Sequence, residues 1–164
     1  MAAAVTLGVT GVPETIVFSA GQRLLSVDAT GGAPTLLLES DSAFLLFPHL
    51  LPSGDALLYN TAAQDFDVET MQTMVLDIAT GATRRLFGGG SRPAYAPTGH
   101  LLYAHKDGAL MGVGFDPESL ELTGSPATIV TGVTVNRITG TARYSVSGTG
   151  TLIYDSRVIG TTGG

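Results

Sequence analysis

Residues 47–90 read FPHLLPSGDALLYNTAAQDFDVETMQTMVLDIATGATRRLFGGG and contain the pattern that decides the fold. The apolar runs 56–59 and 74–78 have the length of strands, and each is bounded by Gly, Asp, Asn or Thr. Pro52-Ser53-Gly54 and Ala79-Thr80-Gly81 supply turn residues around them. Short apolar runs bounded by turn chemistry are typical of strands rather than helices. The stretch therefore predicts three or four short strands joined by turns.

The same unit recurs along the chain. Four apolar runs end in an aromatic residue, at Phe18, Tyr59, Tyr103 and Tyr154, with separations of 41, 44 and 51 residues. A turn that contains Gly precedes each run. Residues 24–31, 74–81 and, more loosely, 111–118 form a second match, and another short strand is predicted after each, at 35–38, 83–87 and 127–130. The chain thus holds three complete repeats and the first half of another.

A repeat of about 40 to 45 residues with four strands is typical of a β-propeller blade. Both faces of a blade are buried by neighbouring blades, so its strands are apolar on both sides, as in Leu57-Leu58 and Leu101-Leu102. We predict an all-β fold, a partial β-propeller of four-stranded antiparallel blades in one domain. The blades are predicted at about 1–43, 44–91 and 92–134, with a half blade at 135–156 and a tail at 157–164. A β-sandwich of the same short strands is the alternative.

Two segments of the second unit carry a family resemblance. Residues 51–59, LPSGDALLY, and residues 76–86, LDIATGATRRL, resemble a TolB-type propeller repeat, and the segment from Tyr144 to Leu152 resembles the opening of another. The resemblance covers about 12–155 and implies a bacterial, extracytoplasmic or periplasmic protein. Such repeats occur in Tol-system proteins, in receptor-like kinases and in prolyl-oligopeptidase-type peptidases. The third unit departs from the pattern, since Pro97-Thr98-Gly99-His100 lacks the turn Asp.

The number of repeats bears on partners, because three and a half blades do not close a ring. The terminal blades would expose an apolar face and unpaired strand edges, which favours association. We therefore expect completion by self-association as a homodimer, since closed symmetry is the common solution for complementary surfaces. Segment 142–155 would complete a sheet with the partner's N-terminal strands. The alternative is that this chain is part of a longer protein that supplies the other half.

Charge and composition exclude several classes of partner. The net charge is −6 and only eight Lys and Arg are spread over 164 residues, so we expect no nucleic-acid binding. Cysteine is absent, which removes disulfides and thiolate metal sites. The start, MAAAVTLGVTGVP, has no basic residue and is interrupted by Gly8, Gly11 and Pro13, so we expect neither a signal peptide nor membrane insertion. The location of the protein stays open apart from the family resemblance.

Two predicted loops carry candidate ligand-binding residues. The loop 61–70 contains Asp65, Asp67 and Glu69, and in an extended segment these alternate carboxylates would point one way. That arrangement suits a hard cation such as calcium, but the spacing is not that of an EF-hand, so we expect a solvated acidic loop or a ligand contact rather than a metal site. The matching loop of the third unit offers His105 and Lys106 as polar contacts, although Asp107-Gly108 also fits a plain hairpin turn.

Two arginines are further candidates. Arg92 and Arg143 precede the predicted innermost strands of two blades, where a guanidinium can bind an anionic ligand or a peptide carboxylate; a structural ion pair is the alternative. The three histidines, His49, His100 and His105, lack zinc-ligand spacing. No Gly-x-Ser-x-Gly, phosphate loop or paired carboxylates occur. We therefore expect no enzyme activity, no cofactor and no metal.

The function predicted from the sequence is a non-catalytic binding or scaffold module that presents loops to a protein, peptide or small ligand. Two alternatives remain. One is an accessory gating propeller of a serine peptidase whose catalytic domain is not in this chain. The other is a structural fragment without independent function.

Overall fold

The computed structural model describes residues 8–12 and 14–156, and every regular element in them is a β-strand. In chain order the strands are β1 (Val9–Val12), β2 (Thr15–Ala20), β3 (Arg23–Asp28), β4 (Thr35–Glu39), β5 (Phe44–Leu50), β6 (Ala56–Ala62), β7 (Gln72–Asp77), β8 (Thr83–Gly88), β9 (Ser91–Ala96), β10 (His100–Ala104), β11 (Leu110–Asp116), β12 (Glu121–Leu122), β13 (Ala127–Val130), β14 (Tyr144–Val146) and β15 (Leu152–Tyr154). Within these ranges there is no helix long and apolar enough to cross a bilayer.

The strands form four antiparallel sheets that follow one another along the chain. The first sheet has the order β1-β2-β3-β4 and the second the order β5-β6-β7-β8. The third repeats the pattern in β9-β10-β11, and its outer position is shared by β12 and β13, which both pair with β11. The fourth sheet contains β14 and β15. Three sheets with consecutive strand order and a half sheet confirm the predicted partial propeller of four-stranded antiparallel blades.

Burial on both faces of the second sheet shows how the sheets stack. Leu57 and Leu58 are neighbours on β6, so their side chains point to opposite faces, yet both are fully buried. Leu57 packs with Leu24 of the first sheet, whereas Leu58 packs with Leu101 of the third. Each interior sheet therefore lies between its two neighbours, as blades do. In a two-layer sandwich one of the two leucines would face solvent.

A recurring turn explains why the repeat can be recognised in the sequence. The Asp28 carboxylate accepts hydrogen bonds from the Thr30 N–H and hydroxyl at 2.8 and 2.6 Å, and Asp77 accepts from the Ala79 N–H at 3.1 Å. Gly31 and Gly81 then adopt φ of +104° and +74°, which glycine tolerates at no steric cost. An Asp followed by Thr-Gly thus ends the third strand of each of the first two sheets, with one residue between Asp and Thr in the first sheet and two in the second.

The innermost strands carry a second recurring feature. Phe47 and Arg92 have φ of +50° and +55°, and each is followed by proline. The pairing of β5 with β6 and of β9 with β10 shifts register at these positions, which identifies β-bulges. A bulge bends the strand and redirects its side chains. The two bulges therefore change the direction of the side chains on β5 and β9, the inner strands of the second and third sheets.

Candidate functional site

The innermost strands of successive sheets enclose a cleft of about 150 Å³. Its walls come from β5, β9 and β14, through Phe47, Pro48, His49, Arg92, Tyr144 and Ser145. We call this the axis cleft, since the inner strands of a propeller surround its axis. It brings one guanidinium and one imidazole together with apolar side chains in a small concave site.

Arg92 is held in the axis cleft from several sides. Its backbone N–H donates to the buried Asn60 Oδ1 at 2.8 Å, which fixes the bulge. Its guanidinium donates to the Ala142 carbonyl and lies over the Tyr144 ring, with Cζ 5.2 Å from the ring centroid. The Tyr144 hydroxyl in turn donates to the Arg92 carbonyl. These contacts orient a guanidinium that lines the cleft and has five N–H donors, more than the contacts named here use.

His49 supplies a neutral imidazole to the same cleft. Burial lowers its pKa to about 4, and the positive charge of Arg92 lowers it in the same direction. At neutral pH the ring is therefore uncharged, and it offers one N–H donor and one acceptor nitrogen. Arg92 is the cationic group of the axis cleft, and His49 is a hydrogen-bonding group beside it.

The lowered pKa of His49 predicts a pH dependence of stability. In the unfolded chain its pKa is near 6.5, so between about pH 4 and 6.5 the unfolded state binds more protons than the folded state. The free energy of unfolding is therefore expected to fall as the pH is lowered through this window. Urea unfolding at intervals from pH 7 to 5 measures the slope, and His49→Gln is expected to flatten it. An unchanged slope in that variant would show that His49 is not the titrating group.

A second cluster lies on the rim between the second and third sheets. The Lys106 ammonium is 3.0 Å from Asp67 Oδ1 and 3.8 Å from Glu69 Oε2, and the His105 ring lies 5.6 Å from the Tyr103 ring. The hydrogen bond from Lys106 lowers the pKa of Asp67, and the same bond raises the pKa of Lys106. Two loops that the sequence placed in different repeats therefore meet here. We call Asp67, Glu69, His105 and Lys106 the rim cluster. Its carboxylates and its ammonium form ion pairs with each other.

The acidic loop is a series of turns, and not the extended segment in which its alternate carboxylates would all point one way. Asp65 Oδ1 accepts from the Asp67 N–H at 3.3 Å, and Asp67 Oδ1 accepts from the Glu69 N–H at 3.1 Å. These turns direct the Asp65 and Asp67 carboxylates to backbone N–H groups, and the point that Asp67 shares with Glu69 is the Lys106 ammonium. Across residues 8–12 and 14–156, no three acidic or histidine side chains converge in a way that would hold a metal ion. Asp65 stays exposed and outside the rim cluster.

The structure separates the two candidate arginines. Arg92 lies within β9, not before it, because that strand begins at Ser91. Arg143 does precede β14, but its exposed side chain pairs with Asp155 at 3.2 Å, and it is not among the residues that line the axis cleft. The two do not form one anion site. Arg143 forms an ion pair, which was the alternative to ligand binding in the sequence analysis. Arg92 lines a concave site.

Sequence reasoning missed Tyr144 and Asn60, which orient Arg92. One signal for the bulge at Arg92 was available in the sequence. Phe47-Pro48 and Arg92-Pro93 occupy the same place in their repeats, since Phe47 lies seven residues before Gly54 and Arg92 lies seven residues before Gly99. A recurring x-Pro at one strand position indicates a strand irregularity, since proline does not donate to the ladder. Tyr144 carried no such signal, because its contacts come from other sheets.

Searches with this sequence match no protein-family model and no curated protein. Solved structures do match. TolB from Acinetobacter baumannii superposes with a TM-score of 0.67 at 14% identity, over 94% of this chain and 39% of that one. A luciferin-regenerating enzyme gives 0.63 at 13% identity, over 92% and 54%. The propeller domain of the Trilobed protease from Pyrococcus furiosus, which has an open velcro topology, gives 0.58 at 15% identity, over 79% and 44%.

These likenesses show that the chain has the TolB-like β-propeller fold that its repeat predicted. It spans between about two fifths and a little over half of the length of the three structures. At identities of 13–15% the comparison shows the fold alone. A shared fold does not assign a function, which depends on the residues of the site.

Proposed function

We propose that this TolB-like propeller is a non-catalytic binding module whose axis cleft takes the carboxylate of a peptide or small ligand. The single observation that carries the proposal is the position of Arg92. Its guanidinium is fixed at a concave site by Tyr144 and by the Ala142 carbonyl. A planar fork of N–H donors matches a carboxylate in a bidentate pair.

The surroundings of Arg92 favour an anion at this cleft. His49 is neutral there, with a pKa of about 4, so it adds a hydrogen-bonding group without competing for the anion as a second cation. No carboxylate side chain lines the cleft among the described residues, so the guanidinium has no acidic side chain beside it there. The buried residues Phe47 and Pro48 form an apolar part of the wall, and an apolar surrounding strengthens a charged hydrogen bond.

The same features argue for binding rather than catalysis. A general base works best with a pKa near the operating pH, and His49 with a pKa of about 4 is a weak base at pH 7. Ser145, the hydroxyl residue of the cleft, is exposed and follows Tyr144 on β14 without a helix after it. A nucleophile elbow needs a strand-to-helix turn.

The test is an NMR titration with acetyl-triglycine, which ends in a free carboxylate, and with its C-terminal amide. We expect saturable shifts of the Arg92 and Tyr144 signals with the acid and weak or no shifts with the amide. Arg92→Met is expected to weaken binding by about tenfold or more, since it removes a charged hydrogen-bond pair. Arg143→Met makes the same charge change outside the cleft and is expected to bind as the unaltered chain does.

Equal shifts with acid and amide would contradict the proposal, as would equal affinity of the Arg92→Met and Arg143→Met variants. Arg92→Lys adds a finer test, because it keeps the charge and removes the fork. An intermediate affinity for this variant is expected. A backbone amide spectrum of each variant establishes that the chain is still folded.

A second candidate function, the accessory propeller of a peptidase, is favoured by one observation, the likeness to the propeller domain of the Trilobed protease. The coding sequence that adjoins this chain in its genome separates the two candidates. An adjoining α/β-hydrolase domain with a Gly-x-Ser-x-Gly elbow would favour the peptidase propeller. A domain without catalytic residues would favour the binding module.

A further inference from the structure

The imidazole of His49 lines the axis cleft without a hydrogen-bond partner among the described residues. Within residues 8–12 and 14–156 its ring nitrogens bond to no other group. Over the same ranges no fully buried side-chain nitrogen or oxygen lacks a partner. The ring nitrogens of this partly buried residue are therefore accessible to solvent, and because His49 lines the cleft they are available to a ligand there.

Arg92 and His49 present different chemistry to such a ligand. The guanidinium is permanently charged and forms a bidentate pair with a carboxylate. The imidazole is neutral at pH 7, since its pKa is about 4, so it has one N–H donor and one acceptor nitrogen. A hydroxyl group both donates and accepts, so it bonds to either nitrogen, whereas a carbonyl or carboxylate oxygen bonds to the N–H alone. The two side chains therefore suit a carboxylate with a hydroxyl group next to it.

Charge disfavours two other groups beside the carboxylate. An ammonium at His49 would lie close to the Arg92 guanidinium, and no carboxylate among the described lining residues offsets that repulsion. A second carboxylate would exchange water for a neutral ring, because Arg92 is the one cationic side chain that lines the cleft in the described part of the chain. A monocarboxylate with a neutral polar group therefore fits better than an amino acid or a dicarboxylate.

The size of the cleft limits the part of a ligand that it encloses. Its volume is about 150 Å³. An engineered cavity of about this volume in another protein takes up benzene, and a three-carbon 2-hydroxy carboxylate has as many heavy atoms as benzene. Ala94 and Val146 add apolar lining for the third carbon. A short acid therefore fills the cleft, whereas a peptide reaches into it with its last residue.

We propose that the ligand of the axis cleft is a small 2-hydroxy carboxylate, whose carboxylate pairs with Arg92 and whose hydroxyl group bonds to His49. This inference rests on the proposed function, since it needs the carboxylate at Arg92, and it adds the second contact. Ser145 also brings a hydroxyl to the cleft, but its side chain is exposed, so a bond to it competes with water. A hydrogen bond to the partly buried His49 is worth more.

NMR titration with four small compounds tests the second contact. The probes are lactate, as each enantiomer, and propionate, lactamide and alanine, at pH 7 and constant ionic strength. Propionate lacks the hydroxyl group, lactamide lacks the charge, and alanine has an ammonium in place of the hydroxyl. The better enantiomer of lactate is expected to bind about fivefold tighter than propionate, since it adds one hydrogen bond. Lactamide and alanine are expected to bind more weakly than propionate.

Variants assign the hydroxyl contact to His49. His49→Leu is expected to bind lactate and propionate equally, because the partner of the hydroxyl group is removed. His49→Gln keeps a donor and an acceptor and is expected to restore part of the preference for lactate. His100→Leu makes the same change at an exposed histidine of β10, outside the cleft, and is expected to keep the full preference. A backbone amide spectrum of each variant establishes that it is folded.

The ring signals of His49 give the same answer without a substitution, since lactate is expected to shift them more than propionate does. Equal affinity for lactate and propionate would overturn this inference and leave the carboxylate proposal standing. A preference for lactate that survives in His49→Leu, or that is lost in Ser145→Ala instead, would overturn it as well. Absence of binding by lactate, propionate and acetyl-triglycine alike would overturn both proposals.

Discussion

Replacing Phe115 with alanine is expected to lower the free energy of unfolding by about 4 kcal/mol. Phe115 is 2% exposed and packs in the core between the second and third sheets, with Leu58, Val75 and Leu101 in the same cluster. Its ring also makes an edge contact with Tyr95 at a centroid distance of 6.2 Å. Truncation leaves a cavity between two sheets, which relax only in part because each is held by its own ladder.

Equilibrium urea unfolding followed by circular dichroism measures this change. Phe115→Leu keeps most of the volume and is expected to cost about 1 kcal/mol. Ile138→Ala removes an apolar side chain that is 79% exposed, and its effect is expected to stay within about 0.5 kcal/mol. A loss for Phe115→Ala as small as that for Ile138→Ala would mean that the two sheets do not share a core.

The second large effect is expected at Asn60, which links the second and third sheets by polar contacts. Its Nδ2 donates to the Gln72 carbonyl, to Thr73 Oγ1 and to the Gly90 carbonyl at 3.2–3.3 Å, and its Oδ1 accepts from the Arg92 N–H. Asn60→Leu keeps the size of the side chain and leaves these buried groups without their hydrogen-bond partner. The expected loss is about 3 kcal/mol or more in free energy of unfolding, because unpaired buried groups carry their full desolvation cost.

Asn60→Leu is also expected to weaken carboxylate binding, since Asn60 fixes the backbone of Arg92 in its left-handed conformation. Asn136→Ala is the matched control. Asn136 Oδ1 accepts from the Ile138 and Thr139 N–H groups in an exposed loop, so the loss is expected to be no more than about 1 kcal/mol. If the two variants lost the same stability, the Asn60 bonds between sheets would not matter for folding.

The fold could be predicted from the sequence because the patterns that indicate strands and turns are local. The turn at Asp77 and Gly81 depends on hydrogen bonds between residues two to four apart, so it can be recognised without the rest of the chain. The paired leucines at 57 and 58 indicate a sheet buried on both faces, which is what the structure shows. Secondary structure and sheet order follow from such short-range patterns.

The candidate site was harder to predict because its residues meet across repeats. Lys106 and Asp67 are 39 residues apart in sequence, and their contact depends on the angle between two sheets, which no local pattern encodes. The difference between Arg92 and Arg143 has the same origin. Both come near the start of an inner strand, but a bulge places Arg92 at the axis cleft, whereas Arg143 turns outward to Asp155.

The stacking of the sheets requires that the second sheet lies between two different neighbours. A methyl NOE spectrum of the chain tests it at two adjacent residues. The Leu57 methyl groups are predicted to show cross-peaks to Val17 or Leu24 of the first sheet, and the Leu58 methyl groups to Leu101 or Val113 of the third. Cross-peaks from both leucines to one sheet only, or none from either, would contradict the stacked-sheet architecture and with it the axis cleft.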